Sequence, residues 1–130
     1  TAPERLRALR RDLPIIQDRL AKLTPAPKGP LPILIGGSGE KVTLKIVAEF
    51  ADMWNTFGPA DHFAAKNAVL NEWCEKLGRD PREIERTVAI GGHEIDTWED
   101  LVAAGADHII VMTGHPFDLE PAERLFAATR

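Results

Sequence analysis

The stretch LPILIGGSGE, residues 31–40, carries the strongest fold signal in this chain. A short apolar run ends in three glycines that surround one serine, and apolar residues then recur at helical spacing from Val42 to Phe50. A short apolar run that stops at glycines is typical of a buried strand, whereas spacings of three and four residues indicate a helix. The stretch therefore predicts a strand, a glycine loop and a helix, in that order.

The same order recurs three times after this stretch. The pattern predicts strands over residues 53–57, 87–90 and 108–112, and the continuous apolar run of the last indicates a strand buried on both faces. A long helix is predicted from about Asp61 to Leu77, with Gly78 as its C-terminal cap. A short helix should begin with a capping box from Thr97 to Asp100, and a last helix near Asp118.

The residues before the glycine stretch predict one more helix. Leucines and isoleucines from Leu6 to Leu23 fall three or four residues apart, which places one apolar stripe on an amphipathic helix. Pro14 lies inside this pattern and lacks a backbone N–H, so we expect a kink there, or a restart with Asp12 as N-cap.

Strands that alternate with helices predict a single α/β domain over residues 1–130, with about four parallel strands joined by right-handed crossovers. An eight-stranded (β/α) barrel takes about 250 residues. The chain therefore forms either an open, doubly wound sheet or half of a TIM-type barrel, and periodicity does not choose between them.

Composition narrows the classes of function. The net charge is -4 and the basic residues are scattered, so we expect no nucleic-acid partner. No apolar run approaches the roughly 20 residues of a membrane span, and the first residues lack the order of a secretory signal. Cys74 is the only cysteine and the four histidines are far apart, so we expect neither a disulfide nor a metal site. These features favour a cytoplasmic protein.

The glycine loop is the best candidate site. A glycine-rich turn before a helix exposes backbone N–H groups and the positive end of the helix dipole to an anion. Gly36, Gly37 and Gly39 permit close approach of a phosphate, Ser38 adds a hydroxyl donor, and Lys41 adds a cation. The loop matches neither the Walker lysine spacing nor the full dinucleotide fingerprint, so a tight turn without a ligand is an equal alternative on the motif alone.

Three segments together resemble the luciferase-like monooxygenase family, in its deazaflavin-dependent branch. They are residues 31–44 (LPILIGGSGEKVTL) with the nearby ADMWN of residues 51–55, the GRDP of residues 78–81, and the AGADHIIV of residues 104–111. The resemblance covers nearly the whole chain. It implies a (β/α)8 barrel of which these residues form the fifth to eighth strands, with the first four strands and most contacts to the cofactor ring lying elsewhere.

The resemblance also implies a function. In that family a glycine loop binds the cofactor phosphate. The resemblance implies the same role for the matching residues Gly36, Gly37, Ser38 and Gly39. Asn55 and Thr56 at the C-terminal end of the second strand, and Thr113 and Gly114 at the end of the fourth, would face the same rim, where barrel enzymes keep their sites. The implied activity is hydride transfer between coenzyme F420, or alternatively FMN, and a small substrate.

Two alternative functions remain open beside this hypothesis. A lone half-barrel would expose an apolar sheet face and two unpaired edges, so we expect a homo-oligomer, such as a dimer, or completion by a missing N-terminal half. One rival is therefore a non-catalytic, self-associating half-barrel. The other is an independent open-sheet domain that binds phosphate as a monomer.

Overall fold

The structure is a computed structural model that describes residues 1–129. A helix, α1, is followed by four strand-helix units. The strands are β1 (Leu34–Gly36), β2 (Met53–Phe57), β3 (Glu85–Gly91) and β4 (His108–Met112). The α-helices are α1 (Ala2–Ala21), α2 (Thr43–Phe50), α3 (Ala60–Leu77), α4 (Trp98–Ala103) and α5 (Glu120–Ala128), and two 3-10 turns span Pro81–Glu83 and Gly92–Thr97. The predicted alternation of strands and helices is confirmed.

The four strands form one parallel sheet in the order β1-β2-β3-β4. Ile35 pairs with Trp54, Trp54 pairs with Arg86, and Val88 pairs with Ile109, so these side chains share one face. Within residues 1–129 the strand order never reverses, so this sheet lacks the switch point of a doubly wound fold. The result is an α/β sheet compatible with half of a barrel.

The core lies on the helix face of the sheet. Trp54 of β2 is fully buried and stacks on Phe63 of α3, with ring centroids 5.6 Å apart. Leu44 and Val47 of α2 and Leu70 of α3 complete the same buried cluster. Each such side chain stabilises the fold by about 1.5–3 kcal/mol relative to its exposed state. Burial therefore fixes the helices against one face of the sheet.

The predicted ends of α3 and of the turn that follows are confirmed. Gly78 closes α3 in the left-handed region, with φ of 70°. Asp80 then caps the Pro81–Glu83 turn, where its carboxylate accepts the backbone N–H of Arg82 at 3.0 Å. Glycine relieves the cost of positive φ, and aspartate satisfies an N–H that the turn leaves without a partner.

Of the two alternatives expected at Pro14, the restart with Asp12 as N-cap is wrong. The helix α1 is continuous through Pro14, and Asp12 pairs with its neighbour Arg11 instead of capping a new helix. Proline removes one intrahelical hydrogen bond, but the apolar stripe of α1 is held by packing that includes the buried Leu13. Packing of the stripe outweighs the loss of one bond.

The predicted capping box from Thr97 to Asp100 is also wrong. The Thr97 hydroxyl donates back to the Glu94 carbonyl at 2.7 Å, and no side chain caps α4 at this residue. The carboxylate of Glu94 instead accepts the backbone N–H of Gly91 at 2.8 Å. The chain enters α4 from a 3-10 turn, so the Thr97 hydroxyl donates to this turn instead of accepting an N–H of α4.

The strand β4 does not have the buried environment that its apolar sequence predicts. Its residues alternate between exposed and half-buried, and Met112 is 47% exposed. It is an edge strand, and its second face belongs to the side of the sheet that the helices leave open. A strand is buried on both faces only where helices or further strands cover both of them.

Candidate functional site

The glycine loop leaves β1 at the carboxyl end of the sheet. Gly36 is the last residue of β1, and the Gly37 N–H donates to the Asn55 carbonyl of β2 at 2.9 Å. Gly37 has φ of 124°, a backbone conformation that residues other than glycine rarely adopt. Its carbonyl accepts the indole N–H of the buried Trp54 at 2.8 Å. These two hydrogen bonds therefore attach the loop to β2 and to the buried Trp54.

Two of the glycines are required by close packing against α2. A Cβ on Gly39 would lie 2.8 Å from the Thr43 hydroxyl oxygen, and one on Gly37 would lie 3.2 Å from the Thr43 methyl. At Gly36 the nearest atom would be the Asn55 carbonyl oxygen at 3.9 Å. The loop thus folds back onto the first turn of α2, which explains Gly37 and Gly39 without a ligand.

The packing of the loop leaves donors uncommitted. Within residues 1–129, the backbone N–H groups of Ser38 and Gly39 donate to no protein acceptor. The Gly39 carbonyl accepts the Leu44 N–H at 3.0 Å, so the peptide that follows Gly39 is held by α2. Backbone N–H groups need an acceptor from solvent or a ligand when the protein supplies none. These two N–H groups therefore meet solvent or a ligand.

The charges around the loop favour an anion. Lys66 of α3 donates to the Glu40 carboxylate at 2.5 Å, and this contact holds the pKa of Glu40 below its ordinary value. Glu40 is also fixed by its carbonyl, which accepts the indole N–H of Trp73 at 2.7 Å. Lys41 is exposed beside the loop. The carboxylate next to the glycines is thus paired with Lys66, whereas Lys41 makes no ion pair within the described residues.

Asn55 lies in the middle of β2, beside Gly36 of β1. Its amide oxygen accepts the Thr87 hydroxyl of β3 at 2.8 Å, which leaves its amide N–H groups to donate toward the open face. Thr56 was expected at the same rim, but this expectation is wrong because Thr56 is 2% exposed on the helix face. Alternation along a strand sends neighbours to opposite faces.

The other predicted residues lie farther from the loop. Thr113 and Gly114 follow β4 at the carboxyl end of the sheet and are exposed, with β2 and β3 between them and the glycine loop. The structure therefore brings Asn55 to the loop and does not bring Thr113 or Gly114 to it.

Sequence reasoning missed a polar pair on the open face. His108 at the start of β4 lies with its Nδ1 3.1 Å from Oε1 of Glu85, the first residue of β3. Both side chains are partly exposed at the amino-terminal end of the strands, away from the glycine loop. Only the strand register brings them together, since 23 residues separate them in the chain. No motif signals such a pair.

Neither a metal site within the described residues nor a similar known protein adds to this account of the candidate site. Among residues 1–129, no group of three His, Cys, Asp or Glu side chains is placed to hold a metal ion. In the same part of the chain, no helix combines the length and apolar character needed to cross a bilayer. Comparison of the sequence with protein-family models and with curated proteins gave no significant match.

Proposed function

We propose that this chain is the cofactor-anchoring half of a luciferase-like, coenzyme F420-dependent oxidoreductase, and that residues 36–39 hold the phosphate of the cofactor. The observation that carries the proposal is the pair of uncommitted backbone N–H groups on Ser38 and Gly39 at the carboxyl end of β1. Parallel α/β enzymes bind their ligands at this end of the strands.

The residues of the loop fit a phosphate. Two backbone N–H groups and the Ser38 hydroxyl supply donors, Lys41 supplies a cation, and Gly36 leaves open space where a side chain would stand. The nearby Glu40 carboxylate is paired with Lys66 and so repels an anion less. Charge-assisted hydrogen bonds of this kind are stronger than those between neutral groups.

Asn55 has a proposed role in orienting the cofactor. Its amide oxygen lies 2.8 Å from the Thr87 hydroxyl, and this contact orients the amide so that its two N–H groups are available to a ligand. Donors fixed in this way bind a carbonyl or phosphate oxygen of the cofactor. A bound deazaflavin supplies the hydride chemistry itself, and the protein contributes binding and orientation.

The open face of the sheet supports the rest of the proposal, a TIM-type barrel completed by other strands. Phe57 is 58% exposed there, and Leu34, Ile110 and Met112 are exposed on the same face. The register places Phe57, Ala89 and Ile110 side by side, and exposed apolar surface of this kind favours an interface. The four missing strands come from a second copy of the chain in a homo-oligomer or from an N-terminal half. We place the enzyme in the cytoplasm, where the buried free thiol of Cys74 suits a reducing compartment.

The same open face favours a second candidate function, a non-catalytic half-barrel that self-associates and binds no cofactor. Its apolar residues require a partner whether or not the glycine loop binds a ligand. The two functions differ in one property, which is saturable binding of a cofactor at the loop.

The deciding experiment is calorimetric titration with coenzyme F420 and, separately, with FMN at a known oligomeric state. We expect saturable binding of F420; binding of FMN alone would identify an FMN-dependent monooxygenase, and no binding of either would favour the non-catalytic half-barrel.

Loop variants connect such binding to the proposed residues. Lys41→Ala should weaken it by about 0.5–1 kcal/mol, a two- to fivefold rise in Kd for an exposed ion pair. The matched control is Lys28→Ala, which removes an exposed lysine from the linker between α1 and β1. Gly37→Val should abolish binding, and its circular dichroism spectrum must show that the fold persists. Unchanged affinity in Lys41→Ala and in a folded Gly37→Val would place the cofactor elsewhere.

A further inference from the structure

An open cavity lies at the amino-terminal end of the sheet, at the end opposite to the glycine loop. It has a volume of about 260 Å³. Its lining comes from α3, from β3 and from the turns on either side of them, and comprises Asn67, Asn71, Pro81, Arg82, Ile84, Arg86, Gly105 and Asp107. One water molecule takes roughly 30 Å³ in the liquid, so the cavity has room for a larger polyatomic ligand.

Arg86 is the unusual member of this lining. It is 5% exposed, yet within residues 1–129 its guanidinium contacts no carboxylate. Its Nε donates to the Asn67 amide oxygen at 3.1 Å and its Nη2 to the Asn71 amide oxygen at 2.7 Å. Its Nη1 donates to the carbonyls of Pro81 and Ile84. All four acceptors are neutral, although buried charges in proteins are normally paired.

The carboxylate that lines the same cavity makes no hydrogen bond to the Arg86 guanidinium. Asp107 also lines the cavity, but its Oδ2 accepts the backbone N–H of Arg86 at 2.8 Å. Burial lowers the pKa of Arg86, and interactions with Cys74 and Asp107 offset only part of this effect. The cation of Arg86 is therefore undercompensated where it borders the cavity.

The cavity is also rich in donors. A guanidinium carries five N–H groups, and the four bonds of Arg86 leave one on Nη2. Asn71 uses its oxygen for Arg86, and in the described part of the chain its amide N–H groups meet no acceptor. Arg82 adds a second guanidinium at the exposed rim, where Asp80 already binds one of its sides.

We propose that this cavity is a binding site for a small tetrahedral oxyanion, phosphate or sulfate. The anion accepts hydrogen bonds from Nη2 of Arg86 and from the Asn71 amide, and Arg82 closes the rim. Such a ligand supplies the negative charge that Arg86 lacks, and bonds between a guanidinium and an oxyanion are among the strongest that a protein makes. The site is independent of the glycine loop and of the function proposed for it.

Asn71→Asp is the decisive variant. The substitution preserves the shape of the side chain and the acceptor for Arg86, and it places a fixed negative charge at the edge of the cavity. That charge replaces the one that the anion provides and repels a second anion. Arg82→Ala is the milder variant, because its side chain is exposed and its loss leaves the buried contacts intact.

The experiment is a titration with inorganic phosphate at constant ionic strength, balanced with chloride and followed by nuclear magnetic resonance. We expect saturable shifts of the side-chain amide signals of Asn67 and Asn71 in the wild-type protein, weaker affinity in Arg82→Ala, and no response at Asn67 in Asn71→Asp. Sulfate should compete with phosphate.

Three results would overturn the proposal, and the first two need only the wild-type protein. They are the absence of shifts at Asn67 and Asn71, and shifts confined to the backbone amides of Ser38 and Gly39, which would locate the phosphate at the glycine loop. The third is a response of Asn71→Asp equal to that of the wild type.

Discussion

Replacement of Gly37 by alanine should destabilise the protein, whereas the same change at Gly36 should not. Gly37 has φ of 124°, and a new Cβ would lie 3.2 Å from the Thr43 methyl. Backbone strain of this kind costs about 1–3 kcal/mol. At Gly36 the nearest atom to a Cβ is 3.9 Å away, so alanine there should stabilise by about 0.4–1 kcal/mol through the unfolded chain.

The two variants should therefore differ by about 1.5–4 kcal/mol in the free energy of unfolding. For a chain of this size 1 kcal/mol corresponds to about 3–5 °C, so their Tm values should differ by roughly 10 °C. Thermal unfolding followed by circular dichroism measures both, with urea unfolding as a check on the free energies. Thr43→Ala in the Gly37→Ala background should recover only the part of the loss that comes from the methyl contact. Equal Tm values for the two glycine variants would refute the argument from φ and close packing.

Three further outcomes are expected. Arg79→Ala should lower the free energy of unfolding by about 1–3 kcal/mol, because its guanidinium donates to the last carbonyls of α2. As the control, Arg82→Ala at an exposed side chain should change the free energy of unfolding in urea by less than about 0.5 kcal/mol. Phe57→Lys should shift sedimentation toward monomer with little loss of stability, because this side chain is exposed on the open face; an unchanged oligomer would exclude that face as the interface. Burial raises the pKa of Cys74, so the folded state favours the neutral thiol. The free energy of unfolding should therefore fall as the pH rises past the ordinary pKa of a thiol. Thiol reagents should label Cys74 only upon unfolding.

The sequence predicts local features well where one residue type has one physical role. The bounds of β2, Met53–Phe57, agree with the prediction, and Gly78 and Asp80 end and begin their elements as expected. Glycine at positive φ and aspartate before proline depend on the local backbone alone. Such features can be predicted without the rest of the fold.

The failed predictions all depend on the surroundings of a segment. The sequence of β4 is as apolar as that of a central strand, and only the position of the strand at the sheet edge exposes it. The continuity of α1 through Pro14 reflects packing of its stripe, which propensity does not contain. Thr97 lost its capping role because a 3-10 turn precedes α4.

The two candidate sites differ in the same respect, because the sequence indicates the glycine loop and does not indicate the Arg86 cavity. The glycine loop was visible because glycines cluster in the chain, and Asn55 joins it through the register of β1 and β2. The Arg86 cavity had no sequence signal, because its parts come from α3, β3 and the segment after α4. A site assembled across elements becomes visible only when the sheet register is known.

The unreversed order of the strands has a consequence for how the chain folds during synthesis. Each strand pairs with the one made just before it, so no strand must wait for a later one before it finds its first neighbour. The sheet can therefore grow by addition at one edge as residues leave the ribosome, with β3 joining a β1-β2 pair already covered by α2. Paired residues lie 19, 32 and 21 positions apart along the three ladders, and the entropic cost of closing such loops grows only slowly with their length. The growing edge remains a parallel strand at every step, and after β4 the same edge is ready for one more.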